Sequence, residues 1–114
     1  FGRRIHLRGI NDKNFSVRAF QERAAINAPI QGSAADIIRL AMIKIDKILE
    51  KKKKAKMLLQ IHDELIFECS RKDETEVKKI VKDAMRSISS SEYHMFSIPL
   101  EVSISSGNNW GEAH

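Results

Sequence analysis

Two short apolar runs separated by three polar residues are the feature of this sequence that most restricts its fold. Residues 57–61 and 65–69 are rich in Leu, Ile and Phe, and His62, Asp63 and Glu64 stand between them. Apolar runs of this length and composition are typical of buried strands. Because the residues between them are polar, the pattern predicts a β-hairpin with two adjacent carboxylates at its tip.

Helical periodicity precedes the predicted hairpin. A first helix is expected to begin near Ser16 as its N-cap and to stop at residues 27–29, because Pro29 lacks an amide hydrogen and suits the first turn of a new helix. The second helix is predicted to end in the lysines 51–54, which we interpret as a solvated helix end. Its apolar face, at helical spacing, consists of Ile30, Ala34, Ile37, Ile38, Ala41, Ile45, Ile48 and Leu49.

A third helix and a last strand are expected after the hairpin. The helix follows Asp73, is closed by residues 89–91, and has an apolar stripe of Val77, Ile80, Val81, Ala84, Met85 and Ile88. Residues 100–104 alternate between apolar and polar, which predicts a half-buried strand, and Trp110 is expected to pin the end of the chain to the core. The sequence therefore predicts an α+β fold, in which an antiparallel sheet, the hairpin plus the C-terminal strand, packs against amphipathic helices.

Composition limits the class of protein without identifying a function. The 114 residues are enough for one domain with one core, and 42% are hydrophobic and 31% charged, as in soluble globular proteins. The formal net charge of +5 fits a polyanionic partner, but many basic proteins bind no nucleic acid. A single cysteine excludes an internal disulfide and favours a reducing compartment.

The carboxylates at the predicted hairpin tip allow two interpretations. Charge at the edge of a core needs a partner, solvent or a metal. Mg²⁺ is commonly held by one or two carboxylates together with phosphate oxygens and water, so Asp63 and Glu64 fit part of such a site. The alternative is a solvated turn, because Asp is a common turn residue.

A second group of polar residues stands at a spacing of four. Arg23, Asn27 and Gln31 would share one face of a continuous helix, and all three carry hydrogen-bond donors. Every base pair presents acceptors in the minor groove, so a row of donors could test the geometry of a pair without reading its sequence. The alternative is a polar helix face, with Asn27 capping a helix.

The small residues from Gln31 to Asp36 also allow two interpretations. The run lacks the lysine and the spacing of a phosphate-binding P-loop. It fits close helix packing, or the close approach of a nucleic-acid backbone to the start of a helix.

Two long motifs resemble one protein family. The segment from Glu22 to Ile38 (ERAAINAPIQGSAADII) closely resembles the helix that follows the fingers of family A DNA polymerases, and Gln60 to Leu65 (QIHDEL) resembles that family's last catalytic motif. Their separation is similar too, as are the segments FGRR at the start and GNNWGEAH at the end, so the resemblance covers essentially the whole chain. Single-subunit phage-type RNA polymerases are similar in fold, but usually have Ser in place of Glu64.

The resemblance implies roles for six residues of this sequence. Asp63 would be one of two aspartates that hold the catalytic Mg²⁺ pair, and Glu64 the neighbouring acid that supports the metal and the primer end. His62 would lie near the primer terminus. The donors that follow primer and template along the minor groove would be Arg23, Asn27 and Gln31.

The resemblance also implies an activity and partners. The intact enzyme would add deoxynucleotides to a primer 3′-hydroxyl on a DNA template, as a monomer in the cytoplasm near the bacterial nucleoid, or in an organelle of a eukaryote. Residues 1–26 would end the fingers and residues 27–114 would form the C-terminal part of the palm. The other catalytic aspartate and the nucleotide-binding fingers helix are expected outside this chain, which alone would then be inactive. The alternatives are a non-catalytic module that binds duplex nucleic acid and a purely structural subdomain.

Overall fold

The computed structural model describes residues 1–89 and 96–114, so two of the residues expected to close the third helix, Ser90 and Ser91, lie outside the described residues. The chain forms two compact units, Phe1–Ile37 and Ile38–His114, and each is described by itself. Helices and an antiparallel hairpin confirm the predicted α+β class. The expectation that the two hairpin strands are buried is wrong, because none of their residues is buried and Leu58 and Leu59 are 52% and 44% exposed. The elements in order are helix α1 (Phe15–Lys52), strands β1 (Ala55–Ile61) and β2 (Glu64–Cys69), a 3-10 turn (Arg71–Asp73), and helices α2 (Glu74–Ser87) and α3 (Trp110–Ala113).

Helix α1 continues through Pro29, so the predicted division into two helices is wrong. The proline ring cannot donate the hydrogen bond that would reach the carbonyl of Ala25, but its fixed φ is compatible with a helix. The predicted N-cap is also wrong by two residues. The side-chain oxygen of Asn14 accepts hydrogen bonds from the backbone N–H of Ser16 at 2.9 Å and of Val17 at 3.4 Å, which is the role of an N-cap.

The core of the second unit is built from α2 and the C-terminal half of α1. The Lys44 ammonium donates to the Ser87 hydroxyl at 2.5 Å, so the two helices lie side by side there. The predicted apolar stripes are confirmed at their centres, and the buried side chains are Ile38, Ala41, Ile45, Leu49, Val77, Val81, Ala84 and Ile88. Ile30, in the first unit, is 73% exposed and does not belong to this face. In the described part of the chain, no helix is both long and apolar enough to cross a membrane.

Two lysines after the core of α1 form ion pairs with the start of α2. The Lys52 ammonium lies 3.2 Å from a carboxylate oxygen of Glu76, and Lys54 contacts both Glu76 and, at 3.6 Å, Asp73. The lysine run is exposed at residues 51–53, as a solvated helix end should be, and two of its side chains also form these ion pairs. The hydrogen bond from Lys54 lowers the pKa of Glu76, and the Ser70 hydroxyl lowers the pKa of Asp73.

The sheet has two strands among the described residues, so the expected third strand at residues 100–104 is wrong. Those residues do alternate between half-buried and exposed, as the sequence predicted. The alternation shows only which side chains of this segment are partly covered. A strand also requires a hydrogen-bonded neighbour, and the alternation does not specify one. Trp110 is 50% exposed and therefore does not pin the chain end to the core.

The carboxylates with lowered pKa values predict a loss of stability in acid. Asp73, Glu74, Glu76 and Glu112 all have pKa values below their ordinary range. Their contribution to folding is therefore present above the ordinary pKa of about 4 and is lost as the pH falls through the lower, folded-state values. Thermal unfolding of the chain between pH 7 and pH 3 should show the midpoint falling in this window.

The variant Glu76→Gln should reduce that acid dependence, since it removes the carboxylate that faces Lys52 and Lys54. The control is Glu50→Gln, at an exposed carboxylate for which the described residues show no ion pair. If the unfolding midpoint falls as steeply with decreasing pH in Glu76→Gln as in the parent chain, these ion pairs do not set the pH dependence.

Candidate functional site: a carboxylate hairpin and a row of donors

The hairpin tip is a two-residue turn. Ile61 pairs with Glu64 in the antiparallel register, which leaves His62 and Asp63 as the turn and makes Glu64 the first residue of β2. His62 has a backbone φ of 52°, in the left-handed region that favours glycine. His tolerates this region better than most residues, but a non-glycine residue there is uncommon. A two-residue hairpin loop requires a positive φ in its turn, so the turn itself accounts for this conformation.

A side chain of the preceding strand supports this turn. The Gln60 amide donates from Nε2 to the backbone carbonyl of His62 at 3.0 Å. The bond satisfies a backbone acceptor at the residue with the positive φ. From the sequence, Gln60 was included only as part of a motif and was assigned no role. Its signal, a polar residue inside an apolar strand, was present in the sequence.

The two adjacent carboxylates are exposed, which fits a ligand site open to a partner. Asp63 and Glu64 both lie on the surface, and the Glu64 side chain is 45% exposed. Their oxygens are the hard donors that Mg²⁺ prefers, and one or two carboxylates are the usual protein share of its ligands. The described residues contain no group of three His, Cys, Asp or Glu side chains that could hold a metal. Asp63 and Glu64 by themselves are therefore only part of the ligand set that a Mg²⁺ ion would need.

His114 is the residue near this site that sequence reasoning missed. Its Nδ1 lies 3.4 Å from a carboxylate oxygen of Glu64, although fifty positions separate the two residues in the chain. Its ring also stands edge-on to Trp110, with centroids 6.4 Å apart. The sequence contained no periodicity that could place a residue of the last turn against the hairpin, so only tertiary structure shows the contact.

A hydrogen-bonded turn holds this end of the chain. Asn109 caps helix α3 by accepting from the backbone N–H of Glu112 at 3.0 Å, and the Glu112 carboxylate accepts from the backbone N–H of Asn108 at 2.8 Å. The bond from Asn108 lowers the pKa of Glu112. A Cβ at Gly107 would lie 2.5 Å from the Glu112 Cβ, so the turn closes only with glycine there. His114 is thus placed next to Glu64 by a capped turn.

The three predicted donors lie on one continuous helix. Arg23, Asn27 and Gln31 are all exposed on α1, and their spacing of four places them on the same side of it. We call these three residues the donor row. Because Asn27 lies in the middle of α1, there is no helix start for it to cap, and the capping alternative is wrong.

The run of small residues also lies inside α1, so it does not open a helix. The interpretation in which nucleic acid approaches a helix N-terminus at this run is therefore wrong. The helix-packing interpretation stays a prediction, because the contact at Gly32, 4.0 Å from Cδ of Arg3 to where a Cβ would stand, is made by a residue outside any helix, and Ala34 and Ala35 are exposed. The donor row belongs to the first unit and the hairpin to the second, and each is considered separately.

Comparison with known proteins gives one consistent family. The family model described as DNA polymerase family A matches residues 1–112. Among curated relatives, the DNA polymerase I of Rhizobium leguminosarum is 49% identical over 117 aligned residues, which cover 100% of this chain and 11% of that protein. The DNA polymerase I of Mycobacterium leprae is 46% identical over 113 residues, covering 98% of this chain and 12% of that protein. The chain thus spans about a tenth of the length of these relatives.

A solved structure gives the same result in three dimensions. The POL domain of Pol1 from M. smegmatis, in complex with DNA primer-template and dNTP, superposes with a TM-score of 0.88 at 42% sequence identity. The match covers 98% of this chain and 19% of that one. The family resemblance that was based on two motifs is confirmed, and the chain belongs to DNA polymerase family A.

Proposed function

We propose that this chain is the part of a template-directed DNA polymerase that carries one of its two catalytic carboxylate clusters. The intact enzyme would add deoxynucleotides to a primer 3′-hydroxyl by two-metal nucleotidyl transfer. The observation that carries the proposal is the tight turn between β1 and β2, which exposes Asp63 and Glu64 side by side in a chain of family A. The positive φ of His62 is what a two-residue hairpin turn requires, so the proposal rests on the two adjacent exposed carboxylates and on the family.

Asp63 and Glu64 would hold part of the catalytic Mg²⁺ pair. Their exposed, hard carboxylate oxygens suit this ion, and the missing ligands would come from the other palm aspartate, from substrate phosphates and from water. When bound, the two ions would activate the primer 3′-oxygen and stabilise the departing pyrophosphate, which is the general two-metal scheme for polymerases as a class. The role of the protein residues is to orient the carboxylates before substrate arrives.

The residues around the turn supply that orientation. Gln60 donates to the His62 carbonyl and so supports the backbone from which the Asp63 side chain projects. His62, exposed beside Asp63, would contact the primer terminus. His114 limits the freedom of the Glu64 carboxylate through its 3.4 Å contact.

The donor row would follow the minor groove of the primer–template duplex. The guanidinium and the two amides are exposed and would donate hydrogen bonds to acceptors that all four correct base pairs present at similar positions. Mispairs displace these acceptors, so the row would favour correctly paired ends. In the related Pol1 structure the polymerase domain is bound to primer-template and dNTP, which supports duplex DNA and deoxynucleoside triphosphates as partners here.

The remaining assignments extend the family membership to this chain. Residues 1–26 would be the end of the fingers and their connection, and residues 27–114 the C-terminal part of the palm. The enzyme would act as a monomer in the bacterial cytoplasm. A non-catalytic duplex-binding module remains the second candidate, because the described residues provide only part of a metal site.

The isolated 114-residue chain should not extend a primer. It offers only Asp63 and Glu64 towards a site that needs further ligands and a nucleotide-binding surface. The test incubates the purified chain with a labelled primer–template, the four deoxynucleoside triphosphates and Mg²⁺, next to the intact polymerase. Extension at a rate comparable to that of the intact enzyme would show that the missing ligands are not required.

In the intact polymerase that contains this chain, Asp63→Ala should lower kcat by several orders of magnitude. Loss of a metal ligand removes several kcal/mol of transition-state stabilisation, and about 1.4 kcal/mol corresponds to a tenfold change in rate. The affinity for DNA should change far less. The matched control is Asp46→Ala, an exposed aspartate on α1. Near-normal single-turnover extension by Asp63→Ala would contradict the assignment of Asp63.

Gln31→Ala in the intact enzyme should reduce extension of correctly paired primers by about the value of one hydrogen bond, roughly 1 kcal/mol or a factor of five. The reduction should be similar for the four correct pairs, because the groove acceptors are shared among them. It should shrink when a 3-deaza purine removes the minor-groove nitrogen from the contacted base.

The control substrate carries a 7-deaza purine, which alters the major groove and keeps the minor-groove acceptor. With it, the Gln31→Ala penalty should stay at its full size. A penalty that is unaffected by 3-deaza substitution at every position tested would indicate a packing role for Gln31.

A further inference from the structure

Pro29 leaves a weak point in the middle of α1. The ring removes one helical hydrogen bond and crowds the carbonyl four residues earlier, which is the common cause of kinks in helices. In this chain the donor row straddles that point, since Arg23 and Asn27 precede Pro29 and Gln31 follows it. A bend at Pro29 would therefore rotate Gln31 away from the other two donors.

The polypeptide before α1 touches the helix on the N-terminal side of Pro29. A Cβ at Gly9 would lie 2.9 Å from Cγ1 of Val17 and 3.1 Å from Cγ of Gln21, so the backbone there lies directly on the helix surface. A side chain at this position would have to displace Val17. The contact is close because residue 9 is glycine.

The same segment touches α1 again on the other side of Pro29. The Arg3 guanidinium donates from Nε to Asp36 Oδ2 at 3.1 Å and from Nη2 to Oδ1, a two-bond contact with a carboxylate that is 13% exposed. The Arg3 stem passes over Gly32, with Cδ 4.0 Å from where a Cβ would stand. The hydrogen bond to Asp36 also raises the pKa of Arg3.

Local turns connect these contacts to the start of the helix. The backbone N–H of Ile10 donates to the Leu7 carbonyl at 3.2 Å, and that of Asp12 donates to the Gly9 carbonyl at 3.1 Å. The Asp12 carboxylate then accepts from the backbone N–H of Asn14, the residue that caps α1. The segment is therefore fixed to α1 at the cap, at Gly9 and at Arg3.

We propose that residues 3–9, which we call the brace, hold α1 in line across Pro29, and that Arg3 is the positioning residue that fixes its far end. The brace contacts α1 on both sides of the proline and supplies the rigidity that the missing hydrogen bond does not. This inference rests on the proposed function, because it makes the brace responsible for keeping Gln31 aligned with Arg23 and Asn27. Arg3 acts through the helix and does not touch DNA itself.

The other role open to Arg3 is a direct contact with a DNA phosphate. The geometry favours the ion pair, because the guanidinium directs two of its N–H groups at a carboxylate that is 13% exposed. Its other N–H groups could still donate to a phosphate, so the two roles have to be separated by experiment.

The test compares Arg3→Ala with Arg3→Ala/Pro29→Ala in the intact polymerase that contains this chain. Alanine at position 29 restores the amide donor and the helical bond to the Ala25 carbonyl. The measurement is the rate of extension of a 3-deaza purine substrate divided by the rate of its 7-deaza control. Only an aligned donor row loses a hydrogen bond when the minor-groove nitrogen is removed, so this ratio reports the alignment. The exposed arginine Arg39, three residues after Asp36, provides the matched control Arg39→Ala.

In the parent enzyme, extension of the 3-deaza substrate should be about fivefold slower than extension of the 7-deaza control, and we call this factor the 3-deaza penalty. Arg3→Ala should reduce the penalty to less than about twofold, a loss equivalent to one hydrogen bond. Pro29→Ala should restore the penalty in the double variant, and Asp36→Asn should behave as Arg3→Ala does. Amide hydrogen exchange at residues 30–34 should speed up in Arg3→Ala and return to the parent rate in the double variant.

An unchanged 3-deaza penalty in Arg3→Ala would overturn the proposal, as would a reduced penalty that Pro29→Ala does not restore, since Arg3 would then contact DNA directly. Failure of the proposed function looks different. In that case the parent enzyme shows no 3-deaza penalty and Gln31→Ala changes nothing, and hydrogen exchange alone then decides whether the brace stabilises α1.

Discussion

The alignment of α1 across Pro29 is the constraint on which the first unit depends. One helix carries every residue of the donor row, and a spacing of four keeps them on one side only while the helix stays straight. Proline works against that requirement by removing a hydrogen bond within the row itself. The N-terminal segment lies against the helix on both sides of the proline, so its glycine and arginine contacts belong to the same arrangement as the donors.

In the second unit, an apolar helix pair and a polar hairpin have separate tasks. Burial of Ile45, Val81 and their neighbours supplies the stabilising free energy, and these side chains contain no chemistry beyond packing. The hairpin tip instead exposes two carboxylates after a residue with positive φ. The positive φ belongs to the tight turn, whereas the two carboxylates are the groups that the proposed metal site would use.

Each unit contains a contact between residues distant in sequence. His114 reaches Glu64 from the end of the described chain, and Arg3 reaches Asp36 from its beginning. Neither residue lies in a periodic pattern, and neither was assigned a role from the sequence. In each case a carboxylate, Asp36 or Glu64, is contacted by a guanidinium or an imidazole carried on irregular backbone, which is where sequence patterns carry the least information.

The sequence by itself determined the α+β class, the hairpin, the two amphipathic stripes and the family, because periods of 2 and 3.6 and two long motifs are local properties. It failed at Pro29, at the N-cap and at residues 100–104. A helix can continue through proline when other contacts support it, a cap is defined by its hydrogen bonds, and a strand needs a partner that its own alternation does not name. The cap is a local bond between residues two and three positions apart, which the sequence pattern did not single out. Tertiary structure alone decided the missing strand partner and the contacts of Arg3 and His114, because these depend on groups that are brought together only by folding.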